Sequence, residues 1–218
     1  MTREEVCACI KETGIIPAIR VSNPDDAMFA AHAVFNGGIL VAEMTTTIPG
    51  ATDVIRELMK QNPDAAIGAG TVLDVETAER CLDAGASFLT STGLDHDMVA
   101  FAEERNVAVI PGALTPTEVM VAKKAGVDFV KLFPCAQIGG PSYVAALKRP
   151  FPDVPMIASG GVTQQNAGDY IRAGAVAVGV GEHLIPQEAI EGRDIDWIRE
   201  LSKRYLNIVK RARAPKTA

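Results

Sequence analysis

The sequence predicts an α/β protein of one domain, a single (β/α)8 TIM barrel with an extra N-terminal helix. Three observations predict it. Eight short apolar runs are each followed by a polar or glycine-rich turn and a longer segment of helical periodicity. Glycines recur where several of the helices should hand over to a strand. No linker, low-complexity stretch or composition break divides the 218 residues, and eight strand–helix units favour a closed barrel over an open doubly wound sheet.

In chain order, residues 1–13 (MTREEVCACIKET) read as a helix across the bottom of the barrel. The predicted strands are 15–20 (IIPAIR), 39–43 (ILVAE), 65–69 (AAIGA), 87–91 (SFLTS), 107–110 (VAVI), 127–131 (VDFVK), 155–158 (PMIA) and 176–180 (VAVGV). Asn23-Pro24 has the form of a helix cap followed by a first-turn proline, and Thr115-Pro116-Thr117-Glu118 that of a capping box. Asn36-Gly37-Gly38, Ala84-Gly85-Ala86, Ala125-Gly126-Val127 and Ala173-Gly174-Ala175 punctuate helix ends. Arg211 to Ala218 reads as a frayed, solvated basic tail.

Composition narrows the function. A 48% hydrophobic chain of this length can bury a sizeable core, and a net charge of −6 leaves no broad basic surface for nucleic acid. Cys7, Cys9, Cys81 and Cys135 lack disulfide or zinc-site spacing and read as small thiols in a reducing compartment. No segment has the length and apolarity of a signal peptide or membrane span, so a cytoplasmic protein with no membrane partner is expected.

In a barrel of this kind the chemistry sits at the C-terminal ends of the strands. Those ends carry Arg20, Glu43, Gly70-Thr71, Ser91-Thr92, Pro111-Gly112, Lys131, Ser159-Gly160-Gly161 and Gly179-Val180-Gly181. Lys131 is the only lysine in a predicted strand, and its setting, VDFVKLFP, makes an ordinary ammonium expensive to bury. Desolvation favours the neutral amine, the form that attacks a ketone to give an imine. A lysine that snorkels, or is merely paired to Glu43, is the alternative. Strands two and six lie nearly opposite each other, so Glu43 and Lys131 can converge on one small substrate. The glycine turns after strands seven and eight suit close approach of backbone N–H groups to an anion, although tight turns demand small residues anyway. Phe133 shares a face with Lys131 and could dry an imine there. His32 and His96 read as surface or packing residues, Cys135 as packing, and His183 as a candidate substrate contact.

Taken in order, VAEMT (Glu43), IGAGTVL (Gly68 to Leu73), IPG (Ile110 to Gly112), VKLFP (Val130 to Pro134) and SGGVTQQN (Ser159 to Asn166) resemble the 2-keto-3-deoxy-6-phosphogluconate (KDPG) and 4-hydroxy-2-oxoglutarate (KHG) aldolase family. The likeness covers most of the chain. It implies a class I lyase and a homotrimer, with no metal or organic cofactor. It further implies Lys131 as the Schiff-base lysine, Glu43 as general acid/base, Thr71 as a ligand of the substrate carboxylate and the SGG turn as binder of the distal end. The products would be pyruvate and an aldehyde, glyceraldehyde 3-phosphate or glyoxylate.

Three positions depart from that pattern, all concerned with substrate recognition. Thr47 stands where better-known members have an arginine, and Arg20 is the residue able to supply the missing charge. Thr92 replaces a proline in the turn after strand four. Glu182, in GVGEHL, replaces a serine beside the expected phosphate. Either Glu182 accepts hydroxyls from an unphosphorylated substrate, or it points to solvent at a helix start. An aldolase for an unphosphorylated 2-keto acid, a different barrel enzyme acting on a sugar phosphate and a non-catalytic sugar-acid-binding barrel are the competing readings. The pairing of Glu43 with Lys131 weighs against the last two.

Overall fold

The structure, a computed structural model, describes residues 1–214. Nine parallel strands form one sheet: β1 (Ile15–Ile19), β2 (Val41–Thr45), β3 (Ala66–Gly70), β4 (Phe88–Thr90), β5 (Ala108–Ile110), β6 (Gly112–Ala113), β7 (Val130–Leu132), β8 (Met156–Ser159) and β9 (Ala177–Val180). Their order is β5-β4-β3-β2-β1-β9-β8-β7-β6. The extra strand arises because Pro111 has no N–H to donate and splits the fifth barrel strand in two. Its halves still serve both neighbours: β5 pairs with β4, β6 pairs with β7, and the Pro111 carbonyl accepts from Lys131 N at 2.9 Å. The ring therefore closes through this strand as the TIM barrel expected from the sequence.

Helix starts follow their sequence signals. Asn23 Oδ1 accepts from Asp26 N at 2.9 Å, and the Thr115–Glu118 capping box makes both of its bonds. The first helix, Arg3–Thr13, carries a capping box of its own and underlies the barrel floor, with Val6 and Ile10 buried.

Most boundaries shift by a residue or so from the sequence reading; three larger differences stand out, and two of them move the chemistry. β2 begins at Val41 because Ile39 is still tied to the preceding helix through Val34 O, so Glu43 lies in mid-strand. β7 begins at Val130 because Asp128 is turned aside, accepting from Val109 N at 3.0 Å and from Arg3, which makes Lys131 the middle of three strand residues. At the C-terminus the helix Ile195–Arg213 continues past Arg211, where a tail was expected to begin. Arg213 fixes it by donating to the carbonyls of Lys11, Glu12 and Val176 at 2.7–2.8 Å. The rest of the expected tail, from residue 215 on, lies outside the described residues.

Candidate active site

Side chains alternate across a strand, so Lys131 shares the inner face with Phe129 below it and Phe133 above. Phe129 lies near the floor, 5.5 Å from Lys11 Nζ, and the Phe133 ring centre is 5.9 Å from Lys131 Nζ near the mouth. Between them the amine reaches across the barrel to β2 and β4. Lys131 Nζ stands 3.3 Å from Glu43 Oε2, 3.5 Å from Glu43 Oε1 and 3.3 Å from Thr90 Oγ1. Both charged residues are buried, Glu43 at 3% exposure and Lys131 at 7%. Neither would be chosen for stability, because desolvating two ions typically costs several kcal/mol apiece and an apolar pair would fill the space as well.

Glycine makes the room. A Cβ on Gly70 would fall 2.2 Å from Glu43 Oε1, so the carboxylate occupies the volume that a side chain on β3 would otherwise take. The next residue, Thr71, has φ 59°, an uncommon conformation for a β-branched residue. It is held there from two sides: Thr46 Oγ1 donates to its carbonyl at 2.8 Å, and Arg20 Nη2 donates to its Oγ1 at 3.1 Å. The threonine hydroxyl and the guanidinium are thus bonded to each other, and both residues line the same cavity as Glu43.

These groups open into a cavity of about 380 Å³, within the usual range for a small-molecule site. Of the residues singled out from the sequence, Arg20, Glu43, Thr71, Thr92, Lys131, Phe133, Ser159, Gly160, Gly161, Gly181 and Glu182 line it. Thr47 does not. The strand has ended at Thr45 and the chain turns outward, so Thr47 is exposed, accepting from Arg20 Nη1 at 3.3 Å and paired with Thr45 Oγ1 at 3.0 Å. It braces the arginine from behind. Glu182 also differs in setting: it starts an isolated turn in which Leu184 N and Ile185 N both return to Gly181 O, and the helix begins only at Gln187.

The SGG turn is shaped by packing as well as by any ligand. Gly160 and Gly161 have φ of 87° and 77°, and a Cβ on Gly161 would lie 2.4 Å from Ala136 Cβ. Cys135 N and Ala136 N donate to the carbonyls of Ser159 and Gly160 at 2.9 and 3.1 Å, so this turn is bound to the loop that follows the lysine strand. All four cysteines are unpaired; burial pushes the Cys81 thiol up to about 11 and the Cys7 thiol, which also faces Asp128, up to about 12.

Residues 6–201 match the family described as KDPG and KHG aldolase. The chain belongs to that family. Its members' names identify them as aldolases, so the chain is a carbon–carbon lyase. The KHG/KDPG aldolase of Escherichia coli K12 is 34% identical over 87% of this chain and 89% of its own. A KDPG aldolase from Legionella pneumophila, solved with pyruvate captured at low pH as a covalent carbinolamine intermediate, superposes with a TM-score of 0.85 at 31% identity, covering 91% of this chain and 96% of the other. A subunit of a cube-shaped protein cage designed by fusing symmetric oligomeric domains also matches, with a TM-score of 0.83 at 28% identity over 91% of this chain and 73% of its own.

Several contacts of this aldolase site escape sequence reading. Thr90 is two residues before Thr92 on the same inner face, and strand alternation was the available signal. Thr46 and Gln187 gave none, since each gains its place only from how a turn folds.

Proposed function

We propose that the chain is a class I aldolase that cleaves a 2-keto-3-deoxy sugar acid of the 6-phosphogluconate type, or 4-hydroxy-2-oxoglutarate, into pyruvate and an aldehyde, with Lys131 as the Schiff-base residue. The observation that carries this reading is the buried Lys131–Glu43 contact of 3.3 Å at the base of the cavity, in a member of an aldolase family. Passing one proton from the ammonium to the carboxylate frees a lone pair on Nζ, which adds to the C2 ketone of the substrate. Loss of water leaves a protonated imine. Glu43, directly or through a water, takes the proton of the C4 hydroxyl; the C3–C4 bond breaks, the aldehyde departs and the bonding pair moves into the imine as an enamine. Protonation at C3 and hydrolysis release pyruvate and restore the amine.

The surroundings support each role. Arg20 and Thr71 converge where the C1 carboxylate would lie, and a guanidinium beside a hydroxyl suits that group. Thr90 holds Nζ in line with Glu43, and the Phe133 ring limits water around the imine. A homotrimer is the expected assembly, supported by the resemblance and by the use of a similar chain in a symmetric cage. A cytoplasmic location fits too, as no helix among the described residues is long and apolar enough to cross a membrane. Light scattering at several concentrations checks the trimer.

The decisive experiment is incubation with pyruvate and sodium borohydride, followed by digestion and mass spectrometry. A reduced pyruvate adduct on Lys131 is expected. Absence of an adduct, under conditions that label a known class I aldolase, would overturn the Schiff-base reading.

A further inference from the structure

We infer that the distal end of the cavity selects a neutral, hydroxylated aldehyde over a phosphorylated one, with Glu182 as the discriminating residue. The inference rests on the Schiff-base aldolase reading and departs from it only in the aldehyde, which the distal wall favours as a neutral molecule over the charged glyceraldehyde 3-phosphate or glyoxylate. Two cations line the cavity, Arg20 and Lys131. Lys131 is committed to Glu43 and then to the imine. Arg20 is turned toward β2 and β3, bonded to Thr47 and Thr71, and so away from β9 and the turn that follows it. The wall opposite, from residues 181 to 187, contributes Glu182, His183 and Gln187 and no lysine or arginine.

This wall has the chemistry of a hydroxyl reader. A carboxylate accepts hydroxyl hydrogens, an amide both donates and accepts, and an imidazole does either. His183 Nε2 lies 3.9 Å from Glu182 Oε1, and the Glu182 side chain is 88% exposed, free to swing over the mouth. Gly181 adds to the case, because protein packing does not require its lack of a side chain. A Cβ there would meet only Ala18 O at 3.7 Å, an ordinary contact, so the glycine leaves open the strip of wall beside Glu182. A neutral polyol chain could lie along that strip and reach the carboxylate. A phosphate dianion in the same place would face Glu182 with no lysine or arginine to offset it, a repulsion of about tenfold in binding even in a largely aqueous setting.

The test measures condensation of pyruvate with D-glyceraldehyde and with D-glyceraldehyde 3-phosphate, for the natural protein and for Glu182→Gln, and compares the ratio of the two kcat/KM values. The glutamine keeps the size of the side chain and removes the charge. The natural protein should favour the unphosphorylated aldehyde, and Glu182→Gln should move the ratio about tenfold toward the phosphorylated one. A natural protein that prefers the phosphate, or a ratio that Glu182→Gln leaves unchanged, would overturn the inference. Borohydride trapping of pyruvate on both proteins separates the two levels: an adduct with the wrong ratio defeats the selectivity alone, whereas no adduct defeats the aldolase reading with it.

Discussion

The floor of this barrel holds a half-buried charge cluster and the mouth a buried one, and the two are satisfied in opposite ways. At the floor, Arg3 grips Asp128 through Nε at 2.9 and 3.1 Å and Glu103 through its two terminal nitrogens at 2.5 and 2.9 Å. Those carboxylates, Glu103 first and Asp128 second, hold the guanidinium even more firmly in its charged form. Asp128 also accepts from Val109 N, so the first helix, β5 and the start of β7 are tied to one point. In the mouth a lysine faces one carboxylate and one threonine, with no contact shorter than 3.3 Å. An arginine fork satisfied on several sides is a fastener, because it has no proton to give and little freedom to move. A lysine loosely held by one acid can lose a proton and gain a carbon, and it retains a cavity in front of it. The difference between a structural and a reactive charge is thus legible in how completely each is satisfied.

Exchanging the residues across that comparison should break it first at the mouth. Lys131→Arg keeps the charge and removes the nucleophile; turnover should fall by at least about 10⁴-fold and borohydride trapping should vanish. Retention of substantial activity in single-turnover assays would mean that the amine is not the reacting group. Glu43→Gln should lower kcat by roughly 10²–10⁴-fold, the usual span for loss of a general acid/base, with slow trapping of pyruvate still detectable. Thr71→Gly probes the strained support of the mouth: kcat/KM should drop by about tenfold through loss of the hydroxyl, while relief of the left-handed threonine leaves thermal stability no lower than in the natural protein. A marked fall in melting temperature would show that Thr71 φ carries no strain. At the floor, Arg3→Lys should leave kcat untouched and cost about 1 kcal/mol, which corresponds to a melting temperature lower by about 2–4 °C in a domain of this size. Lost activity without lost stability would contradict the division of labour between the two ends.

The same contrast explains what could be read beforehand. Lys131 and Glu43 stood out because a charge in an apolar run is expensive, and the structure brings them together. Asp128 sits in the same run as Lys131 yet gave no comparable signal, since its partners Arg3 and Val109 N are 125 and 19 positions away. Thr47 shows the same limit: the sequence marks it as a departure from the family pattern, and only the turn after Thr45 reveals that its hydroxyl bonds Arg20.

By itself the sequence determined the barrel, the order of its strands, the starts of its helices and the lysine–glutamate pair, because periodicity, caps and the cost of buried charge are properties of local chain. Tertiary structure decided the rest. It split the fifth strand at Pro111, put Glu43 in mid-strand where Gly70 makes room, braced Arg20 with Thr47, continued the last helix through Arg213 and set Glu182 on a free turn at the cavity rim. Each of those outcomes depends on which distant segment arrives alongside, and the register between strands is what makes that choice.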